Sequence, residues 1–207
     1  MNNIEGYNDW SSTYDTVINK TRDLEGKALR NILNDNYFEK ILEIGCGTGK
    51  NTEWLSGKGK HITGADFSEG MLDKAREKIK TVNVEFARLD IREEWNFKDN
   101  SFDLITFSLI LEHIKDIQFV FEQATKKLKE DGVLYLGELH PYKQIAGSKA
   151  RFDKNGVTIV LDCYLHNISD FFDAGRKNGL ICADIKEWYD NDEEIPRLLT
   201  MIFRKDK

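Results

Sequence analysis

The stretch "ILEIGCGTGKNTEWL", residues 41–55, decides how the chain is read. An apolar run reaches Glu43 and Ile44, then breaks into three glycines two apart, Gly45, Gly47 and Gly49, before a helical pattern begins. Glycine has no Cβ and enters positive φ readily, so such a loop turns tightly and lets a ligand approach the backbone. A helix N-terminus behind it presents free N–H groups and the positive dipole end to a polar or negative ligand group. The spacing excludes two familiar uses. A dinucleotide fingerprint places a third glycine where Lys50 stands, and a phosphate-cradling P-loop needs G-x-x-x-x-G-K-[ST], which Gly45 to Lys50 does not supply.

Outward from this loop, strands and helices alternate. Strands are expected at 41–45, 60–66, 82–88, 102–108 and 132–139, with helices at 49–57, 68–79 and 116–128. Ser68 is the expected N-cap of the second of these helices, and Asp131-Gly132 the turn before the fifth strand. Such alternation predicts βαβ units and a parallel sheet covered on both faces. Two helices are expected within 7–34, one carrying Trp10, Tyr14, Val17 and Ile18 on one face and one carrying Leu24, Ala28, Leu29, Ile32 and Leu33. Residues 140–167 are less regular, with one β-like run, "VTIVLDCYL". A helix at 169–178 precedes two final strands joined by the acidic turn "DNDEE", and so short a connection makes them antiparallel.

Composition narrows the function classes. The 207 residues hold 30 Lys and Arg against 36 Asp and Glu, a formal charge of −6, with 40% hydrophobic residues. No global basic face is indicated, so nucleic acid is not the expected partner. The cations Lys126, Lys127 and Lys129 suit the negative end of a helix. Three separated cysteines without a CxxC pair, and four histidines that do not cluster with them, suggest neither a metal site nor a disulfide framework. The first ten residues lack the basic start and apolar core of a secretory signal, and no apolar run is long enough for a membrane span. A cytoplasmic protein of one domain is expected.

Four segments, "LEIGCGTG", "GADFSEGMLDKAREK", "FDLITFSLILEHI" and "LKEDGVLYLGELHP", resemble the class I S-adenosylmethionine-dependent methyltransferases, in their branch acting on small molecules. The resemblance is firm over 41–139 and weaker over 168–204. It implies a doubly wound, mostly parallel seven-stranded α/β sheet with an antiparallel last strand and a helical N-terminal extension, and S-adenosyl-L-methionine as cofactor. One departure stands before the fifth strand, where Glu130-Asp131-Gly132 replaces the family's frequent Pro-Gly-Gly turn.

Residue by residue, the resemblance implies that Gly45 and Gly47, with the small Cys46 between them, pass beside the methionine and ribose. Glu43 orients the loop or meets the cofactor's amino group through water, and Asp66 accepts from the ribose hydroxyls. Phe67 and Met71 flank the adenine, Asp90 and Ile91 meet its edge, and Ser108 and Leu109 line the methionine end. Trp10 and Tyr14 close over the sulfonium. Residues 1–40 form a lid, 41–139 the cofactor-binding core, 140–167 an acceptor wall, and 168–207 a helix and strand pair.

His140 follows the fifth strand, at the edge where open α/β sheets place ligands, and His166 stands at the mouth of a helix. Either is a candidate base for a hydroxyl or amine acceptor, beside the plainer role of capping or lining the pocket. The expected function is methyl transfer to a small-molecule acceptor. A cofactor-sensing module without turnover, a nucleic-acid methyltransferase and a nicotinamide oxidoreductase are the rival readings. "FSLILEHI" lacks the Asn/Asp-Pro-Pro-aromatic signature of amino-directed nucleic-acid enzymes, and the chain has no Pro-Cys nucleophile.

Overall fold

The structure is a computed structural model that describes residues 3–154, 156–190 and 193–205. In chain order its elements are α1 (Asn3–Trp10), α2 (Lys20–Leu33), β1 (Phe38–Ile44), α3 (Lys50–Leu55), β2 (Gly59–Asp66), α4 (Glu69–Lys78), β3 (Val84–Arg88) and β4 (Phe102–Ser108). A 3₁₀ turn (Leu111–His113) then leads to α5 (Ile117–Lys127), β5 (Leu128–Leu139), α6 (Pro141–Ile145), β6 (Arg151–Lys154), β7 (Val157–Val160), α7 (Ile168–Lys177), β8 (Leu180–Trp188) and β9 (Leu198–Lys205).

Seven strands form one sheet in the order β3-β2-β1-β4-β5-β9-β8. The first five are parallel, and β9 runs antiparallel to both β5 and β8. The alternation of strands and helices therefore gives the expected doubly wound sheet with a reversed last strand. Burial on both faces explains why apolar Ile41, Leu42 and Ile44 of β1 stand close together, with only Glu43 between them. Ile41 packs with Leu29 and Leu33 of α2 and Leu55 of α3, whereas its neighbours Leu42 and Ile44 pack toward Phe121 of α5 and Phe171 of α7.

Several local expectations are corrected. The first helix ends at Trp10 instead of continuing to Ile18, and Val17 and Ile18 are exposed. Ser11 Oγ donates to Asn8 O at 2.8 Å and Thr16 Oγ1 to Thr13 O at 2.8 Å. These local bonds compete with helix continuation. The fifth strand begins at Leu128, not at 132, and Asp131 takes a left-handed φ of 60° within it. The pairing with β4 shifts register there, so the expected turn is a kink inside a longer strand. The β-like run starting at Val157 resolves into β7, which pairs with β6 in a separate antiparallel ribbon. Residues 191 and 192 of the expected acidic turn lie outside the described residues. No helix is long and apolar enough to cross a membrane among the described residues.

The order places a topological switch point between β1 and β4, whose chains depart to β2 and β5 on opposite sides. Ligands of open α/β sheets sit outside the carboxyl ends of the strands at such a point.

Candidate functional site

A cleft of about 730 Å³ opens at that point. Its floor is the glycine loop. Gly45 N and Cys46 N both donate to Ala65 O, at 2.8 and 3.1 Å, tying the loop to the end of β2. Gly45, Gly47 and Gly49 have φ of 73°, 54° and 82°, the left-handed region that side chains rarely enter. The space around the first two differs. A Cβ on Gly45 would lie 2.1 Å from Ile110 Cγ2, whereas one on Gly47 would meet nothing within 4 Å among the described residues. Gly47, which lines the cleft, therefore keeps a cradle open that any side chain would begin to fill.

Asp66 closes one side. Its Oδ2 accepts from Gly47 N and its Oδ1 from Ser68 N, both at 2.9 Å. A carboxylate has about four acceptor directions, so capacity for ligand hydroxyls remains. Burial pushes its pKa up to about 6, against the lowering effect of these backbone N–H groups. Ser68 also caps α4, accepting from Met71 N at 3.2 Å, which sets Phe67 and Met71 on the cleft wall. Asp90 and Ile91 line it as well, but the Asp90 carboxylate is held by Arg92 Nε at 2.8 Å and by Arg92 N at 3.0 Å. Those Arg92 bonds, foremost the side-chain ones, keep Asp90 below the usual carboxylate range.

Ser108, Leu109 and Tyr14 complete the expected residues that the structure brings to the cleft. Ser108 Oγ donates at 2.7 Å to Glu25 Oε1, a buried carboxylate on α2 that also accepts from Tyr135 OH at 3.1 Å and, through Oε2, from Asn51 Nδ2 at 2.8 Å. Burial raises the Glu25 pKa despite those bonds. Leu109, at φ 57°, starts a wall segment anchored by Glu138, whose Oε1 accepts from Ile110 N at 3.0 Å and Leu111 N at 2.9 Å. Glu138 Oε2 is buried without a hydrogen-bond partner among the described residues, and burial raises its carboxyl to about 8.

Five expected site residues lie elsewhere. Glu43 is buried beneath the loop, accepts from Thr52 Oγ1, and is raised by burial to about 8, so it braces the strand–helix junction from inside. The Cys46 side chain points into the interior, and burial pushes its thiol well above the usual range. Trp10 is 5% exposed and stacks on Phe152 of β6 at 5.2 Å between ring centres, facing a second, wider cleft instead.

Neither histidine chosen as a candidate base reaches either cleft. His140 is fully buried and N-caps α6: its Nδ1 accepts from Tyr142 N at 3.2 Å, leaving Nε2 to donate to Glu187 at 3.0 Å. Burial lowers its pKa against the opposing pull of Glu187. His166 Nε2 donates to Ile114 O at 2.7 Å, and its ring sits 5.7 Å from Phe171. Both occupy fixed structural bonds, because a histidine beside a helix start or a bare carbonyl finds a partner there before it finds a ligand.

The reading from sequence missed Asn3, Tyr7, Arg92, Ile110 and His113 on the cleft wall. His113 was visible inside "LILEHI", and Tyr7 precedes Trp10 by one helical turn, but nothing in the chain marked them as neighbours. The second cleft lies between the segment after α1 and the β6–β7 ribbon, and it shares Tyr7, Tyr14 and Leu109 with the first.

A doubly wound sheet, a glycine loop at its switch point and an acidic end to the next strand define a nucleotide-cofactor-binding α/β protein. Comparison with known proteins narrows the class: residues 42–136 match the family described as "Methyltransferase domain". Over that segment, somewhat under half of its length, the chain is similar to methyltransferases. It is 34% identical over 101 residues to a demethylmenaquinone methyltransferase of Clavibacter sepedonicus, an alignment covering 48% of this chain and 41% of that protein. It is also 34% identical over 125 residues to a malonyl-[acyl-carrier protein] O-methyltransferase of Acetivibrio thermocellus, covering 55% and 43% respectively. The chain thus spans less than half the length of these curated relatives. Among solved structures, the N-methyltransferase NodS of Bradyrhizobium japonicum, in complex with S-adenosyl-L-homocysteine, superposes with a TM-score of 0.77. That comparison covers 100% of both chains at 18% identity, a likeness of fold alone.

Proposed function

We propose that the chain binds S-adenosylmethionine in the cleft above Gly47 and Asp66 and transfers its methyl group to a small-molecule acceptor. The observation that carries this reading is the open cradle over Gly47, with the buried Asp66 carboxylate beside it. The donor set fits the cofactor: an acceptor-only carboxylate for ribose hydroxyls, Phe67 and Met71 for a flat base, and Ser108 and Leu109 toward the methionine end. The Ile91 backbone and side chain serve the base edge, while Asp90 supports that segment through Arg92. Glu43 and Cys46 act on the cofactor only through the loop that they brace from beneath.

When bound, the cofactor supplies an activated methyl carbon on a sulfonium sulfur. The protein's part is alignment and exclusion of water, which carry much of such a rate. Tyr7 and Tyr14 stand where the two clefts meet, so residues 1–40 act as the lid and residues 140–167, which contribute Phe152, as the wall of the acceptor cleft. The names of the relatives, one for a quinone precursor and one for a malonyl group on its carrier protein, support a small acceptor moiety.

Titration calorimetry with S-adenosylhomocysteine and, separately, NADH tests the cofactor. Tight binding of the first and none of the second is expected, and the reverse overturns the reading. Tritium transfer from methyl-labelled cofactor into the small-molecule fraction of a bacterial extract tests turnover. Binding without any transfer supports a sensing module instead.

A further inference from the structure

With His140 and His166 engaged elsewhere, a different pair meets the junction of the clefts. His113 Nδ1 lies 2.8 Å from the backbone oxygen of Asp162. A carbonyl oxygen only accepts, so this nitrogen carries the proton. Asn3 Nδ2, 3.3 Å from the same Nδ1, has its own acceptor in the same Asp162 oxygen at 3.1 Å and does not require a lone pair there. In the neutral ring Nε2 then holds the lone pair, and Tyr7 OH, 2.8 Å away, donates to it. The tautomer follows from the geometry.

The rest of the arrangement holds the phenol in place. The Tyr7 ring stacks on Trp10 at 5.8 Å and meets the edges of Phe67 at 5.7 Å and His113 at 5.5 Å. Tyr7 lines both clefts, whereas His113 lines only the first. Glu112 Oε1 stands 3.9 Å from His113 Nε2. Burial pushes the Tyr7 phenol well above its usual range, with Tyr14, Glu112, Asp66 and Cys163 adding to the effect, so it does not wait as a phenolate.

We propose that Tyr7 and His113 form a proton relay for methyl transfer, in which Tyr7 takes the proton of a hydroxyl or amine acceptor while giving its own to His113 Nε2. The proposal rests on the reading of the two clefts as cofactor and acceptor sites. The acceptor oxygen or nitrogen forms its new bond to the methyl carbon with its own electron pair, and sulfur keeps the pair of the bond that breaks. The acceptor's proton goes to Tyr7 Oη, and Tyr7's proton leaves as the His113 N–H bond forms. Tyr7 is thus never ionised for long, the imidazolium is held between the Asp162 carbonyl and Glu112, and the proton passes to solvent after product release. Tyr7 touches the acceptor, and His113 acts through it.

The test compares wild type, Tyr7→Phe and His113→Gln. Calorimetry with S-adenosylhomocysteine comes first. Wild-type protein that fails to bind sinks the cofactor reading alone, and the spectroscopic arm below still reads the relay. Binding within about threefold of wild type is expected in Tyr7→Phe, because the ring contacts remain. Affinity lost together with rate makes Tyr7 a cofactor contact and overturns the relay. Methyl transfer is then followed as S-adenosylhomocysteine release, across pH, with a panel of small alcohols, phenols and primary amines. Both variants are expected to lose roughly 10²–10⁴-fold, the usual worth of such a group, and to lose the rise of rate with pH. An unchanged rate and pH profile overturns the proposal.

Two-bond ¹H–¹⁵N spectra of labelled histidine supply a readout that needs no acceptor. At neutral to mildly alkaline pH, His113 is expected to show a protonated Nδ1 and an Nε2 shifted by a donor. That shift should vanish in Tyr7→Phe. A protonated Nε2, or an Nε2 signal unaffected by the substitution, overturns the relay. If no panel member is turned over by wild type, this arm alone decides.

Discussion

Replacing Gly45 and Gly47 one at a time by alanine separates the two tasks of the loop. Both have left-handed φ, 73° and 54°, so either alanine costs roughly 1–2 kcal/mol of backbone strain. At Gly47 nothing among the described residues lies within 4 Å of the new Cβ, and strain is the whole cost to the fold. At Gly45 the methyl would lie 2.1 Å from Ile110 Cγ2 and 3.3 Å from its Cβ, so rotating the side chain relieves only part of the overlap. Overpacking of this kind adds roughly 1–3 kcal/mol. For a chain of this length each kcal/mol lowers the Tm by about 2–4 °C. Gly47→Ala should therefore melt only a few degrees below wild type, and Gly45→Ala clearly lower, by roughly 4–20 °C in total. Binding should order the variants differently. Gly47→Ala is the milder lesion for the fold, yet its methyl enters the cradle and should weaken S-adenosylhomocysteine at least about tenfold, or roughly 1.4 kcal/mol. Scanning calorimetry and titration calorimetry on the same samples read both quantities. If Gly47→Ala binds like wild type, or Gly45→Ala melts no lower than Gly47→Ala, the division of labour is refuted.

Asp66→Ala should weaken cofactor binding by roughly 1.5–3 kcal/mol, the scale of hydrogen bonds to a charged group, and calorimetric affinity equal to wild type would remove Asp66 from the site. Stability should fall as pH rises. Asp66 at about 6, and Glu43 and Glu138 at about 8, bind protons more tightly folded than unfolded. Their stabilisation is complete below about pH 4 and is lost as pH climbs through those values. Urea midpoints that rise steadily from pH 5 to pH 8.5 would contradict this. His140→Ala should lower stability by about 1 kcal/mol or more through loss of the α6 cap, while leaving S-adenosylhomocysteine affinity unchanged, and a calorimetric loss of affinity would return His140 to the site.

The sequence by itself determined the parts whose physics is local. Alternating apolar runs and helical periods fixed the parallel sheet, because a strand covered on both faces reads as mostly apolar, as Ile41, Leu42 and Ile44 do around Glu43. Spaced glycines after the first strand and an aspartate ending the second located the cleft, since φ and backbone approach are properties of single residues in register. Eight of the residues expected from outside the loop, among them Tyr14, Asp66 and Ser108, do line it. Only the tertiary structure decided what depends on partners far along the chain. Tyr7 and His113 lie 106 residues apart and become a pair because α1 folds back over the switch point. Glu25 looks like one more helix-surface acid, yet it is buried and receives bonds from Ser108, Tyr135 and Asn51. His140 looks like a residue at the ligand edge, yet the backbone of α6 and Glu187 use both of its nitrogens. A side chain's type sets which bonds it can make, but its burial and its partners are set by whichever segments the fold packs against it.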